Sequence, residues 1–167
     1  ECTDCSDGYI APVTGSGECT ACEAGKISDK GKTCEKCDAG KYSSTAASVE
    51  CIPCSKGMYS ALAGSTKCEP CPVSKYTQDT GRKECSDCDS GKYTVVSGAS
   101  SPTECMKCPW GTYNPSPGSK CSNCPSGTYN ENTGSTSLDA CTACPAGRFQ
   151  DGTGKNFCNL CSADTYQ

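Results

Sequence analysis

All 20 cysteines of this 167-residue chain fall in ten Cys-x-x-Cys pairs, at 2/5, 19/22, 34/37, 51/54, 68/71, 85/88, 105/108, 121/124, 141/144 and 158/161. Only 34% of the residues are hydrophobic, and that figure already counts the cysteines. Too little apolar side chain remains for a packed core, so a chain of this kind orders itself through covalent cross-links or not at all. Cysteine at this density points to a disulfide framework and to an oxidising, extracellular compartment, secreted or at a cell surface.

The first cysteines of successive pairs are separated by 17, 15, 17, 17, 17, 20, 16, 20 and 17 residues, which makes the chain an internal repeat. Three residues after the second Cys comes a glycine in eight of the ten repeats, with Ser74 and Asp164 as the exceptions. Two residues further on stands an apolar or aromatic residue: Ile10, Ile27, Tyr42, Tyr59, Tyr76, Tyr93, Tyr113, Tyr129, Phe149 and Tyr166. A second glycine precedes the next pair in every interval but one, and the two long intervals place it farther from the following Cys, at Gly98 and Gly134. Length variation therefore falls in a single surface turn. The β-forming stretches between glycines predict short hairpins, and no stretch sustains a helical apolar period. The expected fold is small and disulfide-rich, an extended solenoid-like array of about ten units of about 17 residues, CxxCxxGxY, with hairpins and loops and essentially no helix. Residues 1–167 read as one continuous array with units starting near 2, 19, 34, 51, 68, 85, 105, 121, 141 and 158, the last incomplete.

A net charge of -4, with lysines spread singly, argues against a nucleic-acid or anionic-membrane surface. The sequence has no apolar stretch long enough to span a bilayer. With no histidine, Ser/His and Cys/His nucleophilic systems are unavailable, and no thioredoxin-like βαβ context surrounds any CxxC pair. No catalytic residue or cofactor is implied, and no calcium-loop pattern occurs. Paired CxxC motifs also suit four-cysteine zinc ribbons, which keeps zinc as a minor alternative.

The strings CPWGTY, CPSGTY and CPAGRF, each followed by a turn glycine and then another CxxC, resemble the ephrin-receptor-like cysteine-rich repeat. They are also similar to the first loop of tumour-necrosis-factor-receptor modules and to EGF-like disulfide loops. Spacing alone leaves two pairings open. Neighbouring pairs can cross-link in parallel, as 2/19 with 5/22, giving five modules with regular internal spacings of 17, 17, 17, 16 and 17. The resemblance implies instead that the second Cys of each pair closes onto the first of the next: Cys5–Cys19, Cys22–Cys34, Cys37–Cys51, Cys54–Cys68, Cys71–Cys85, Cys88–Cys105, Cys108–Cys121, Cys124–Cys141 and Cys144–Cys158. Cys2 and Cys161 are then left over, either as candidates for an inter-subunit bond, which would join copies head to tail, or for pairing with outer units of a longer array of which residues 1–167 are a stretch.

The aromatic column is expected to form a ladder packed on the cystines, with a partner-binding stripe as its sharper reading. Trp110 falls outside the ladder and is a candidate contact residue. Abundant Ser and Thr would permit O-linked glycans, although they solvate a surface equally well. The function expected is that of an extracellular structural protein, a stapled rod in a filament, appendage or surface coat, its partner itself or another extracellular protein. The alternative is a receptor or adhesin ectodomain that presents a protein-binding face.

Overall fold

The structure, a computed structural model, describes residues 5–13, 17–28 and 33–162. Among them lie nine antiparallel hairpins of two-residue strands. Each pairs the residues after the first repeat glycine, or after Ser74 in its place, with the two residues inside the next CxxC, as in Lys26–Ile27 with Glu35–Lys36 and Lys92–Tyr93 with Met106–Lys107. The variable middle of each CxxC is thus a return strand. Side chains along a strand alternate between faces, so cysteines three residues apart point to opposite sides. One closes the loop behind it and the other opens the loop ahead. The structure joins Cys5–Cys19, Cys22–Cys34, Cys37–Cys51, Cys54–Cys68 and Cys71–Cys85. It continues with Cys88–Cys105, Cys108–Cys121, Cys124–Cys141 and Cys144–Cys158.

A four-residue turn leads into every hairpin. In repeat 2, the repeat opened by Cys19 and Cys22, the Lys26 N–H donates to the Glu23 carbonyl at 3.1 Å, and Gly25 occupies the third position with φ +82°. That conformation strains any residue with a Cβ. Where the repeat lacks its glycine the backbone does not change: Ser74 takes φ +65°, and Ala47, standing in the interval without a turn glycine, takes φ +58°. These are the two described non-glycine residues with positive φ.

The two long repeats absorb their extra residues as single turns of 3-10 helix, Pro102–Glu104 and Leu138–Ala140. Each is capped by a serine, Ser101 and Ser137, whose Oγ accepts from the backbone N–H two residues on. No α-helix occurs among the described residues.

The chain divides into two compact units that interleave in sequence. The first comprises Glu1–Cys71, Thr77–Cys85 and Gly98–Ser100, and the second Pro72–Tyr76, Ser86–Ser97 and Ser101–Gln167. The buried apolar residues are nearly all cysteines, with Cys22, Cys37, Cys54, Cys71, Cys88, Cys108 and Cys124, each the second of its pair, 0–1% exposed, joined by Cys5, Cys158 and Ala99.

Candidate functional site

The most regular constellation in the molecule is a backbone interlock between repeats. The N–H of Gly25 donates to the Ser43 carbonyl one repeat ahead at 2.8 Å, while its own carbonyl accepts from the Cys37 N–H at 2.9 Å. The same two bonds recur at Gly40, with Ser60 and Cys54, and at Gly111, with Asn130 and Cys124. A third bond ties the turn to the cystine behind it: Gly64 N–H donates to the Cys37 carbonyl, and Gly134 N–H to that of Cys108. The reach extends two repeats. A Cβ added to Gly25 would collide with the Gly64 carbonyl, and one added to Gly111 with the Gly154 carbonyl. Glycine is required here because a neighbouring backbone occupies the place of a side chain.

From repeat 2 through repeat 9 the residue directly after the ladder position completes the interlock. Ser28, Ser43, Ser60, Thr77, Thr94, Asn114, Asn130 and Gln150 are all buried. Ser28 Oγ donates to the Tyr9 carbonyl at 3.2 Å, and Thr77 Oγ1 accepts from the Gly57 N–H at 2.8 Å. Asn130 donates through Nδ2 to the Thr112 carbonyl and to Ser135 Oγ, and accepts from the Asn132 N–H. These side chains supply the partners that buried polar groups demand. The sequence reading did not single out this column. Its signal is that the residue after the aromatic is polar and uncharged from repeat 2 through repeat 9.

The ladder itself lies on the flank. Ile10, Ile27, Tyr42, Tyr59, Tyr76, Tyr93, Tyr113 and Tyr129 are half-buried, Phe149 is exposed, and Tyr166 lies outside the described residues. Trp110 occupies the second position of the turn from Pro109 to Thr112, where the indole is 57% exposed. Next to it in sequence, Pro109 joins Val73, Tyr93, Val95, Thr112 and Lys120 in lining an open groove of about 380 Å³.

Among the described residues Cys161 is the free thiol, half-exposed, and its N–H donates to the Gly147 carbonyl at 3.0 Å. Cys2, its candidate partner, lies outside the described residues. The other 18 described cysteines are consumed in disulfides, which leaves them no thiolates for the four-cysteine zinc alternative. The ion pairs are local and solvent-facing, Lys26 with Glu23 at 3.0 Å, Lys92 with Asp89 at 2.7 Å, Lys67 with Glu69 at 2.9 Å, and Lys75 with Asp87. Such pairs contribute at most about 1 kcal/mol each. No helix among the described residues is long and apolar enough to cross a membrane.

Comparison with known families agrees with this geometry. The family model described as tyrosine-protein kinase ephrin type A/B receptor-like matches three times, over residues 25–67, 57–105 and 102–141. No curated protein sequence matches the chain. The matched segments together run from residue 25 to residue 141, over two compact units built on one stapled repeat. The chain belongs to the ephrin type A/B receptor-like family and is an extracellular, disulfide-rich repeat domain.

Proposed function

We propose that the chain is an extracellular structural protein, a stapled spacer that forms or contributes to a filament, appendage or surface coat. The observation that carries this reading is the interlock. Turns and glycines, the places where a binding protein usually carries its specificity, are here engaged in holding the next repeat and the one after it. Ser, Thr, Asn and Gln fill the interior, so the fold's polar groups are spent on self-attachment. The free thiol of Cys161, with Cys2 as its partner, would supply a covalent junction between copies, and exposed hydroxyls would accept O-linked glycans.

Electron microscopy of the oxidised protein with and without reductant tests the reading. Polymers that fall to single chains on reduction are expected. Single chains under oxidising conditions at every concentration would remove the covalent junction and, with it, the filament role.

A second reading, a receptor or adhesin ectodomain, draws on Trp110 and the nearby groove of Val73, Tyr93 and Val95, which offer an aromatic anchor and an apolar seat. Under that reading Trp110→Ala abolishes binding of an extracellular partner while leaving thermal stability unchanged.

A further inference from the structure

Two positions of the repeat change character in repeats 5 to 7. Two residues after the second Cys of each pair, eight repeats carry Ala, Ser, Asp or Lys, but repeat 5 carries Val73 and repeat 7 carries Trp110. Two residues after the ladder position, eight repeats carry Pro, Asp, Ser, Ala, Gln or Glu, but repeat 6 carries Val95. The three departures stand in three different repeats, and stacking brings their neighbourhoods together. Val73 and Val95 line the open groove of about 380 Å³ with Tyr93 and with Pro109, the residue before Trp110, and all of these belong to the second compact unit.

Apolar surface continues beside the groove. Met106 pairs across its hairpin with Tyr93, and Val95, Val96 and Met106 are 62%, 51% and 50% exposed. Apolar side chains exposed singly need no explanation, but a group of them gathered by departures from the repeat marks an interaction surface. No carboxylate lines the groove, and its charged residue is Lys120, which is exposed and forms no ion pair among the described residues. Lys75 and Lys92, on neighbouring hairpins, are matched by Asp87 and Asp89. Asp87 lies against Gly118, two residues before Lys120, but its carboxylate is bound to Lys75. Asn123, also in the lining, has a side-chain amide that makes no hydrogen bond among the described residues.

We infer that this groove is a docking site for an extended segment of an extracellular partner protein, one that sets a large apolar side chain among Val73, Tyr93 and Val95 and a carboxylate at Lys120. The inference rests on the second reading above and names the chemistry of its partner. Burial of the apolar side chain supplies affinity, and the unmatched lysine selects the charge that stands next to it. Asn123 offers a donor and an acceptor to the backbone of the segment. An acidic polysaccharide shares the charge but has no apolar side chain to cover the valines, so the walls of the groove favour a peptide.

The test pans a random peptide library, displayed on phage, against the full oxidised chain with its free thiol alkylated, and measures the enriched peptides by fluorescence anisotropy. Peptides that combine Asp or Glu with a large apolar residue are expected. Val95→Ser, which restores the kind of residue other repeats carry, and Lys120→Glu should each weaken their binding about tenfold or more, with circular dichroism and the denaturant midpoint unchanged. Peptides whose carboxylate is replaced by an amine should recover binding to the Lys120→Glu chain. Enriched peptides that bind both variants at wild-type strength, or panning that enriches none, would overturn the proposal. So would heparin binding that is lost with Lys120→Glu and unaffected by Val95→Ser, which marks a polysaccharide site, or self-association lost with Val95→Ser, which gives the groove to a second copy. An array of extracellular proteins separates the groove from the reading it rests on. A bound protein released by Trp110→Ala but kept by Val95→Ser and Lys120→Glu removes the groove and leaves the receptor reading. Groove-dependent peptides with no protein bound on the array leave the groove and remove the receptor reading.

Discussion

The two compact units solve one problem with different side chains. In the first, the buried position after the aromatic is Ser28, Ser43, Ser60 and Thr77, while in the second it is Thr94, Asn114, Asn130 and Gln150. A hydroxyl makes few bonds: Ser43 Oγ reaches the Thr45 carbonyl at 3.1 Å, and Ser60 Oγ reaches Leu62 and Ser65. An amide does more. Asn114 donates to the Lys92 carbonyl in the preceding hairpin and to the Ser119 carbonyl in its own loop, and accepts from the Ser116 N–H. Gln150 likewise spans its loop from Phe157 to Gly152. The comparison teaches that the slot is specified by its carbonyls and N–H groups rather than by a volume to be filled. Any uncharged polar residue of suitable reach satisfies it, and longer ones close the loop as well.

The largest expected effect that would sharpen this contrast is Asn130→Ala. It removes three hydrogen bonds from a buried site, so a loss of about 3 kcal/mol is expected at about 1 kcal/mol per bond. Ser43→Ala, the matching change in the first unit, removes the hydroxyl bond to the Thr45 carbonyl and should cost about 1 kcal/mol. Denaturant titration with the disulfides intact measures both, and equal losses would break the comparison. Next in size, Asn114→Ser converts one unit's solution into the other's. A hydroxyl can replace one of the three amide bonds, so a loss of about 2 kcal/mol is expected, with faster hydrogen exchange at Ser116.

Legibility in the sequence follows the same division. The ruler of cysteines and glycines repeats in residue identity, so fold class, hairpins and turn positions can be seen without coordinates. The buried polar column repeats only in chemistry, running from Ser28 through Thr94 to Gln150, and Ser and Thr are so common elsewhere in the chain that their presence there attracts no notice. The contacts two repeats away were illegible for another reason. Gly25 and Gly64 are brought together by stacking, and neither neighbourhood encodes its partner. The two departures from the glycine pattern, Ser74 and the interval containing Ala47, showed only as gaps, and the strain they carry is visible only in the backbone.

Those departures give the smaller predictions. Ser74 holds a left-handed φ of +65° and buries a hydroxyl that has no hydrogen-bond partner. Ser74→Gly should therefore stabilise the protein by about 1 kcal/mol, seen as a rise in the denaturant midpoint. Ala47→Gly relieves the same backbone strain in the first unit without a hydroxyl to remove. It should gain about 0.5 kcal/mol, part of the relief being offset by the greater freedom of glycine in the unfolded chain. A gain at Ala47 larger than that at Ser74 would show that the orphan hydroxyl costs nothing. The smallest effect is expected for Lys92→Ala, whose exposed ion pair with Asp89 contributes about 0.5 kcal/mol or less and vanishes at high salt.

The return strand inside each CxxC has a mechanical consequence. A pull along the chain need not run through the loops, because each disulfide carries tension directly from one CxxC to the next. With the disulfides intact, a repeat stretched until its hairpin is lost lengthens only to three residues plus one cystine span of 5.5–5.8 Å between Cα atoms, about 16 Å in all. Reduced, the same 17 or so residues extend to about 60 Å. Oxidation therefore sets a hard stop on extension that no hydrogen bond has to enforce, and the interlock is left to decide stiffness below that limit.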